Sequence, residues 1–157
     1  MQKITPFLWF DNNAEEAMNF YTSVFKDSKQ VQVSRYPEGS PAPAGSVMVA
    51  EFEIGGQRFI ALNGGPHFKF TEAVSFVVNC ETQEEVDYYW STLTADGGEE
   101  SMCGWLRDKF GLSWQITPAI MYKLYSGDPA AAQRVMQAMM QMKKMDIQKL
   151  QDAYDGK

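Results

Sequence analysis

Two patterns of apolar and polar residues run along this chain, and each occurs twice. Lys3 to Phe10 is rich in strand formers, with Pro6 marking an edge or first-strand position. Asp11-Asn12-Asn13 then supplies N-cap side chains, and Asn13 with Glu16 has the spacing of a capping box. Ala17, Phe20, Tyr21 and Val24 follow as one apolar helical face. Advance 69 positions and Phe7 falls on Phe76, Glu15 on Glu84, Glu16 on Glu85, Tyr21 on Trp90 and Val24 on Leu93. Thr82 with Glu85 repeats the capping box, and Val86, Tyr89, Trp90 and Leu93 repeat the apolar face. Such an echo predicts a duplicated strand–helix unit.

The segments between these units read as strands and turns. Gln30 to Tyr36 alternates, with Val31 and Val33 on one side, as a half-buried strand does. Pro37 to Ser46 holds Pro37, Pro41, Pro43, Gly39 and Gly45, which predicts a long loop: a surface connection or a lid. Ser46–Ile54 and Gln57–Leu62 are strands joined by a Gly55-Gly56 hairpin turn. Asn63 to Pro66 is a further turn, and His67 to Glu72 a linker. In the second half, Ala73–Asn79, Met102–Leu106 and Ser113–Thr117 are expected strands, with a turn at Lys109-Phe110-Gly111. Asp128 as cap and Pro129 in the first turn start a final helix. Its apolar stripe is Val135, Ala138, Met139, Met142, Met145, Leu150 and Tyr154, expected to dock on the sheet or on a partner subunit.

The fold class is α+β: each half reads strand, helix, then two or three strands, taken as duplicated βαβββ modules at 1–66 and 73–118, with a C-terminal helical extension over 126–157. The 157 residues are expected to form a single domain, because neither half is large enough to close a core alone. A hydrophobic share of 45% supports a packed interior. The net charge of -6 argues against a nucleic-acid surface. No apolar run approaches the roughly 18 residues of a membrane span. A charged-then-apolar leader pattern is not seen at the N-terminus, so the expected location is cytoplasmic. Cys80 and Cys103 lack CxxC spacing and suggest neither a disulfide scaffold nor a zinc site.

The repeat carries Thr5-Pro6-Phe7-Leu8-Trp9-Phe10, Ala14-Glu15-Glu16-Ala17 with Phe20-Tyr21, Ala61 to Pro66, and Lys109 to Gln115. In that order it resembles the vicinal oxygen chelate superfamily of glyoxalase I and bleomycin-resistance proteins. Within it, the chain is similar to PhnB-like proteins, often labelled demethylubiquinone methyltransferase-like. The resemblance implies eight strands curled into an incomplete barrel around a cavity, and a homodimer.

Metal-dependent members place His, Glu or Gln ligands on the first and fourth strand of each half. The matching positions here are Ile4 or Thr5, Ala61, Ala73 or Val74, and Gln115. Only Gln115 has a donor of the usual ligand type. One amide cannot replace a set of three or four donors, so neither a metal nor any other cofactor is expected. His67 has no sequence-local partner to orient it as a base. Cys80 and Cys103 read as small buried hydrophobes. Glu15, Glu16, Glu84 and Glu85 read as first-turn dipole partners. There is no GxGxxG, phosphate loop or GxSxG, and no sign of the doubly wound fold a nucleotide-type methyltransferase site would need. What remains is a lining of Phe7, Trp9, Phe59, Phe76 and Trp105, with Asn63 and Gln115 as polar contacts. Trp114 and Gln115 are adjacent and must face opposite ways. The ligand-position match puts Gln115 inside and Trp114 outside. The reading is a binder of a small apolar or aromatic molecule, without metal catalysis. The alternatives are a metal-dependent or unrecognised lyase or oxygenase, or the methyltransferase of the family label.

Overall fold

Both strand–helix echoes fold as a strand leading into a helix. The computed structural model describes residues 2–157. In the first half β1 (Phe7–Phe10) leads to α1 (Ala14–Val24), β2 (Ser28–Arg35), β3 (Val47–Ile54) and β4 (Gln57–Asn63). In the second half β5 (Ser75–Cys80) leads to α2 (Gln83–Thr94), β6 (Glu99–Glu100), β7 (Trp105–Arg107) and β8 (Ser113–Pro118). Three helices follow: α3 (Ile120–Ser126), α4 (Pro129–Met139) and α5 (Ile147–Asp155). The sheets have equivalent orders, β1-β4-β3-β2 and β5-β8-β7-β6. In each, the first strand pairs parallel with the last and the other pairings are antiparallel. The fold is thus α+β, with duplicated βαβββ modules. The chain divides into two compact units, Met1–Phe70 and Thr71–Lys157.

Strand alternation gives each sheet one face against its helix. In the first unit that face carries Leu8, Phe10, Phe52, Phe59 and Ala61, all buried with Ala17, Tyr21 and Val24 of α1. Phe52 stacks on Phe59 with ring centroids 5.4 Å apart, and Tyr21 lies 5.9 Å from Phe52. Each such fully buried side chain contributes about 1.5–3 kcal/mol. In the second unit Leu106, Trp114 and Ile116 are buried with Val86, Trp90 and Leu93 of α2.

The echo contains a one-residue slip. The buried helix positions Ala17, Tyr21 and Val24 correspond to Val86, Trp90 and Leu93, 69 positions on. The strands correspond at 70: Phe10 pairs with Asn63 at the end of its strand, as Cys80 pairs with Pro118. The connection from β5 to α2 is one residue shorter than that from β1 to α1. A single-residue slip reverses the face of every strand residue. Phe7 therefore points away from α1, whereas Phe76 shares its face with Trp114.

Three elements differ from expectation. β2 is an edge strand with register breaks at Gln30/Gln32 and Ser34/Arg35, and Val31 and Val33 are exposed rather than half-buried. The strand expected over Met102–Leu106 is a turn followed by the short β7. Cys103 at φ 60 and Gly104 at φ 79 lie outside the extended region and form that turn. The terminal stripe is divided between two helices and the connection that joins them. Backbone donors from Cys103 and Gly104 bond the carbonyls of Met142 (2.7 Å) and Lys143 (2.8 Å). Gln83 holds the Met145 carbonyl at 3.1 Å and the Ile147 amide at 2.9 Å. These long-range bonds replace helical ones over 140–146, and Asp146 restarts the helix by accepting from the Lys149 amide at 3.0 Å. Val135, Met145 and Leu150 of the stripe are buried.

Candidate functional site

In the first unit the expected site residues separate onto opposite faces. Phe59 is in the helix-side core. Asn63 ends β4 on the same side. Its Oδ1 accepts from the Ala14 amide at 2.8 Å and its Nδ2 donates to the Val47 carbonyl at 3.0 Å. It thereby takes over the expected role of Asn13, whose side chain makes no capping bond. Phe7 and Trp9 lie on the other face, with Phe7 56% exposed. The Trp9 indole N–H donates to the Gly65 carbonyl at 2.8 Å, and its ring meets Phe68 edge-on at 4.9 Å. Gly64 makes this approach possible, since a Cβ there would run into the Trp9 ring.

A cleft of about 960 Å³ opens in this unit between the Pro37–Ser46 loop and the turn after β4. Arg35, Tyr36, Pro41, Pro43, Asn63 and His67 are among its lining. The Tyr36 hydroxyl donates to the Asn63 carbonyl at 2.6 Å, and Tyr36 and Ser46 close the loop with an amide–carbonyl bond of 2.9 Å. Sequence reasoning missed this cleft, because its walls come from separate loops with no common period.

In the second unit β8 buries Ser113 as well as the residues of its α2-facing side. Trp114 and Ile116 are buried towards α2, and Gln115 lies half-buried on the opposite, open face. Gln115 Nε2 donates to Ser75 Oγ at 2.9 Å, and its register partner on β7 is Trp105. Phe76 is on the other side, 5.6 Å from the Trp114 ring. Of the expected contacts in this unit, the fold brings Gln115 and Trp105 together and assigns Phe76 to the helix side. At the buried Trp114 indole, on the side opposite Gln115, is a residue that sequence reasoning missed. Asp108 is 2% exposed and accepts from the Phe110 amide (2.9 Å), the Leu112 amide (3.1 Å) and the Trp114 indole (2.9 Å). The signal was present in the Asp108–Gly111 spacing, an Asx turn closed by a glycine at φ 88.

The donors do not fit a divalent metal. Among the described residues no three His, Cys, Asp or Glu side chains form a group able to hold one. Ala61, one of the matched ligand positions, faces α1, and its neighbours Ile60 and Leu62 on the open face also lack donors. Ile4 and Val74 precede their strands. Of the two cysteines expected to be buried, Cys80 is buried and Cys103 is half-buried. Burial, with Glu85 and Glu81 adding to it, pushes the Cys80 thiol up to about 12, so it stays protonated near neutral pH. Glu85 caps α2: its amide donates to Thr82 Oγ1 at 3.2 Å and its carboxylate accepts from the Glu81 amide at 2.6 Å.

Comparisons with known proteins place the chain. The profile of the 3-demethylubiquinone-9 3-methyltransferase family matches residues 2–117. A solved PhnB protein from Bacillus cereus, provisionally described as a 3-demethylubiquinone-9 3-methyltransferase, is 45% identical. That match covers 75% of this chain and 100% of that one, with a TM-score of 0.69. Protein PA1353 of Pseudomonas aeruginosa, at 22% identity, TM-score 0.61 and coverage of 75% and 98%, shares the fold. So does the fosfomycin resistance protein FosX of Listeria monocytogenes, at 17% identity, TM-score 0.56 and coverage of 78% and 94%. No curated protein matches. Among the described residues, no helix is long and apolar enough to cross a membrane. With its duplicated βαβββ modules and both matches spanning them, the chain belongs to the 3-demethylubiquinone-9 3-methyltransferase family of PhnB-like proteins, built on the vicinal oxygen chelate fold.

Proposed function

We propose that the protein binds a small apolar or aromatic molecule on the open face of β5–β8, without metal catalysis. The observation that carries this reading is the placement of Gln115. Its carboxamide lies on the face opposite the buried Trp114, beside Trp105 and close to Val77, which is 46% exposed. Its amide nitrogen is engaged by Ser75, which leaves the carbonyl oxygen for a ligand donor. An oriented carbonyl beside the apolar Trp105 and Val77 can fix the orientation of a small molecule. The donor set supports a metal-free reading, since Gln115 stands without the further ligands a divalent ion needs.

The family name describes methyl transfer. The doubly wound parallel sheet that carries nucleotide sites at its switch point is not the architecture here, where β1–β4 and β5–β8 are the parallel pairs among the described residues. The binding reading is therefore preferred to the transferase one.

The test is a thermal-shift screen of small aromatic compounds followed by Gln115→Leu. A ligand that binds the folded state raises the melting temperature. Gln115→Leu should leave the unliganded melting temperature nearly unchanged and weaken a polar-headed hit by about 1–3 kcal/mol, the cost of an unpaired polar group. A hit that binds Gln115→Leu as tightly as the wild type would place the site elsewhere.

A further inference from the structure

Two carboxamides on the open face of the second unit are each held by one atom, and they are held in opposite senses. Gln115 Nε2 donates to Ser75 Oγ at 2.9 Å, which leaves its oxygen as an acceptor. Asn79 Oδ1 accepts from the Tyr122 hydroxyl at 3.2 Å, which leaves its amide nitrogen as a donor. Neither of these remaining atoms has a hydrogen-bond partner among the described residues. Gln115 is the register partner of Val77, and Asn79 lies two residues beyond Val77 on the same face. With strands about 4.8 Å apart and about 3.3 Å of rise per residue, the two carboxamides stand roughly 8 Å apart at the backbone. Val77, 46% exposed, is next to both. Tyr122 belongs to α3, beyond the residues 2–117 that match the family profile.

We propose that this face takes a phenol with a carbonyl group para to its hydroxyl, and that Tyr122 is a positioning residue for that choice. The proposal rests on the ligand reading above and adds a second polar group to it. The phenol O–H would donate to Gln115 Oε1, the ring would lie over Val77, and the carbonyl oxygen would accept from Asn79 Nδ2. A benzene ring with polar atoms at both para ends bridges such a gap, and an ortho pair does not. The anchors choose the polarity. An acceptor at one end and a donor at the other fit a ligand with the reverse arrangement, and the Tyr122 bond holds Asn79 with its nitrogen outward.

The experiment is a titration of the full chain with para-hydroxyacetophenone and with para-ethylphenol, which keeps the ring and hydroxyl but lacks the carbonyl. Mildly acidic buffer keeps both phenols protonated. Binding is followed at the backbone amides of β5 and β8 in a two-dimensional ¹⁵N spectrum. Both compounds should give saturable shifts centred on Val77 and Gln115, and the ketone should bind more tightly. Asn79→Asp replaces the donor with an acceptor at an exposed position. It should weaken the ketone about fivefold, as loss of one hydrogen bond does, and leave para-ethylphenol unchanged. Tyr122→Phe, at a position 63% exposed, should also weaken the ketone while the melting temperature and the para-ethylphenol affinity stay as in the wild type, a pattern that lost packing would not give. If para-ethylphenol binds through Gln115 but the ketone gains nothing, or either variant keeps the ketone's advantage, this proposal falls and the ligand reading stands. If neither phenol shifts β5 and β8, both fall.

Discussion

Trp114→Ala is expected to cost about 3–5 kcal/mol of stability, the range for truncating a large buried aromatic. The indole is 4% exposed on the α2 side of β8 and packs against Phe76. Its N–H also donates to Asp108 at 2.9 Å, so truncation takes a donor from a buried carboxylate as well as leaving a cavity. Urea unfolding read by circular dichroism would check this. A loss below about 1 kcal/mol would mean that the α2-facing side of β8 is not a packed core.

Asp108→Ala is expected to be of similar size, about 3 kcal/mol or more, by a different mechanism. The carboxylate collects two backbone donors and one side-chain donor across the turn from β7 to β8. Removing it strands those donors in a buried place, at roughly 1–3 kcal/mol for each one left unpaired. Because Asp108 and Trp114 share a bond, the double variant should lose less than the sum of the two singles. Strict additivity in the same urea experiment would show that the bond contributes nothing.

Much of the fold was legible in the sequence because it is set locally. The helical faces at Ala17–Val24 and Val86–Leu93, the Thr82 and Asp128 caps and the Gly55-Gly56 hairpin each follow from a few neighbouring residues. Trp114 and Gln115 could be assigned to opposite faces because adjacent strand residues must alternate. What the sequence hid depends on distant partners. Asn63 caps α1 from 49 positions away, which no capping-box pattern reveals. The break over 140–146 is made by Cys103, Gly104 and Gln83, and nothing between Met140 and Met145 is a helix breaker. The one-residue difference between the two strand–helix connections reversed Phe76 relative to Phe7. Phe59 read as a site residue because an aromatic side chain looks alike in sequence whether it faces a cavity or a helix. The cleft at Tyr36 and His67 has walls assembled from several segments, which no single stretch announces.

The central claim is a small-molecule site on this fold that works without a metal, and metal analysis tests it most directly. Protein purified without chelator would be assayed for Zn, Ni, Mn and Fe, and melted with and without EDTA. A metal-free site predicts well under one equivalent of any of these metals and the same melting temperature in both buffers. About one equivalent of a transition metal, lost to EDTA together with a fall in melting temperature, would contradict it.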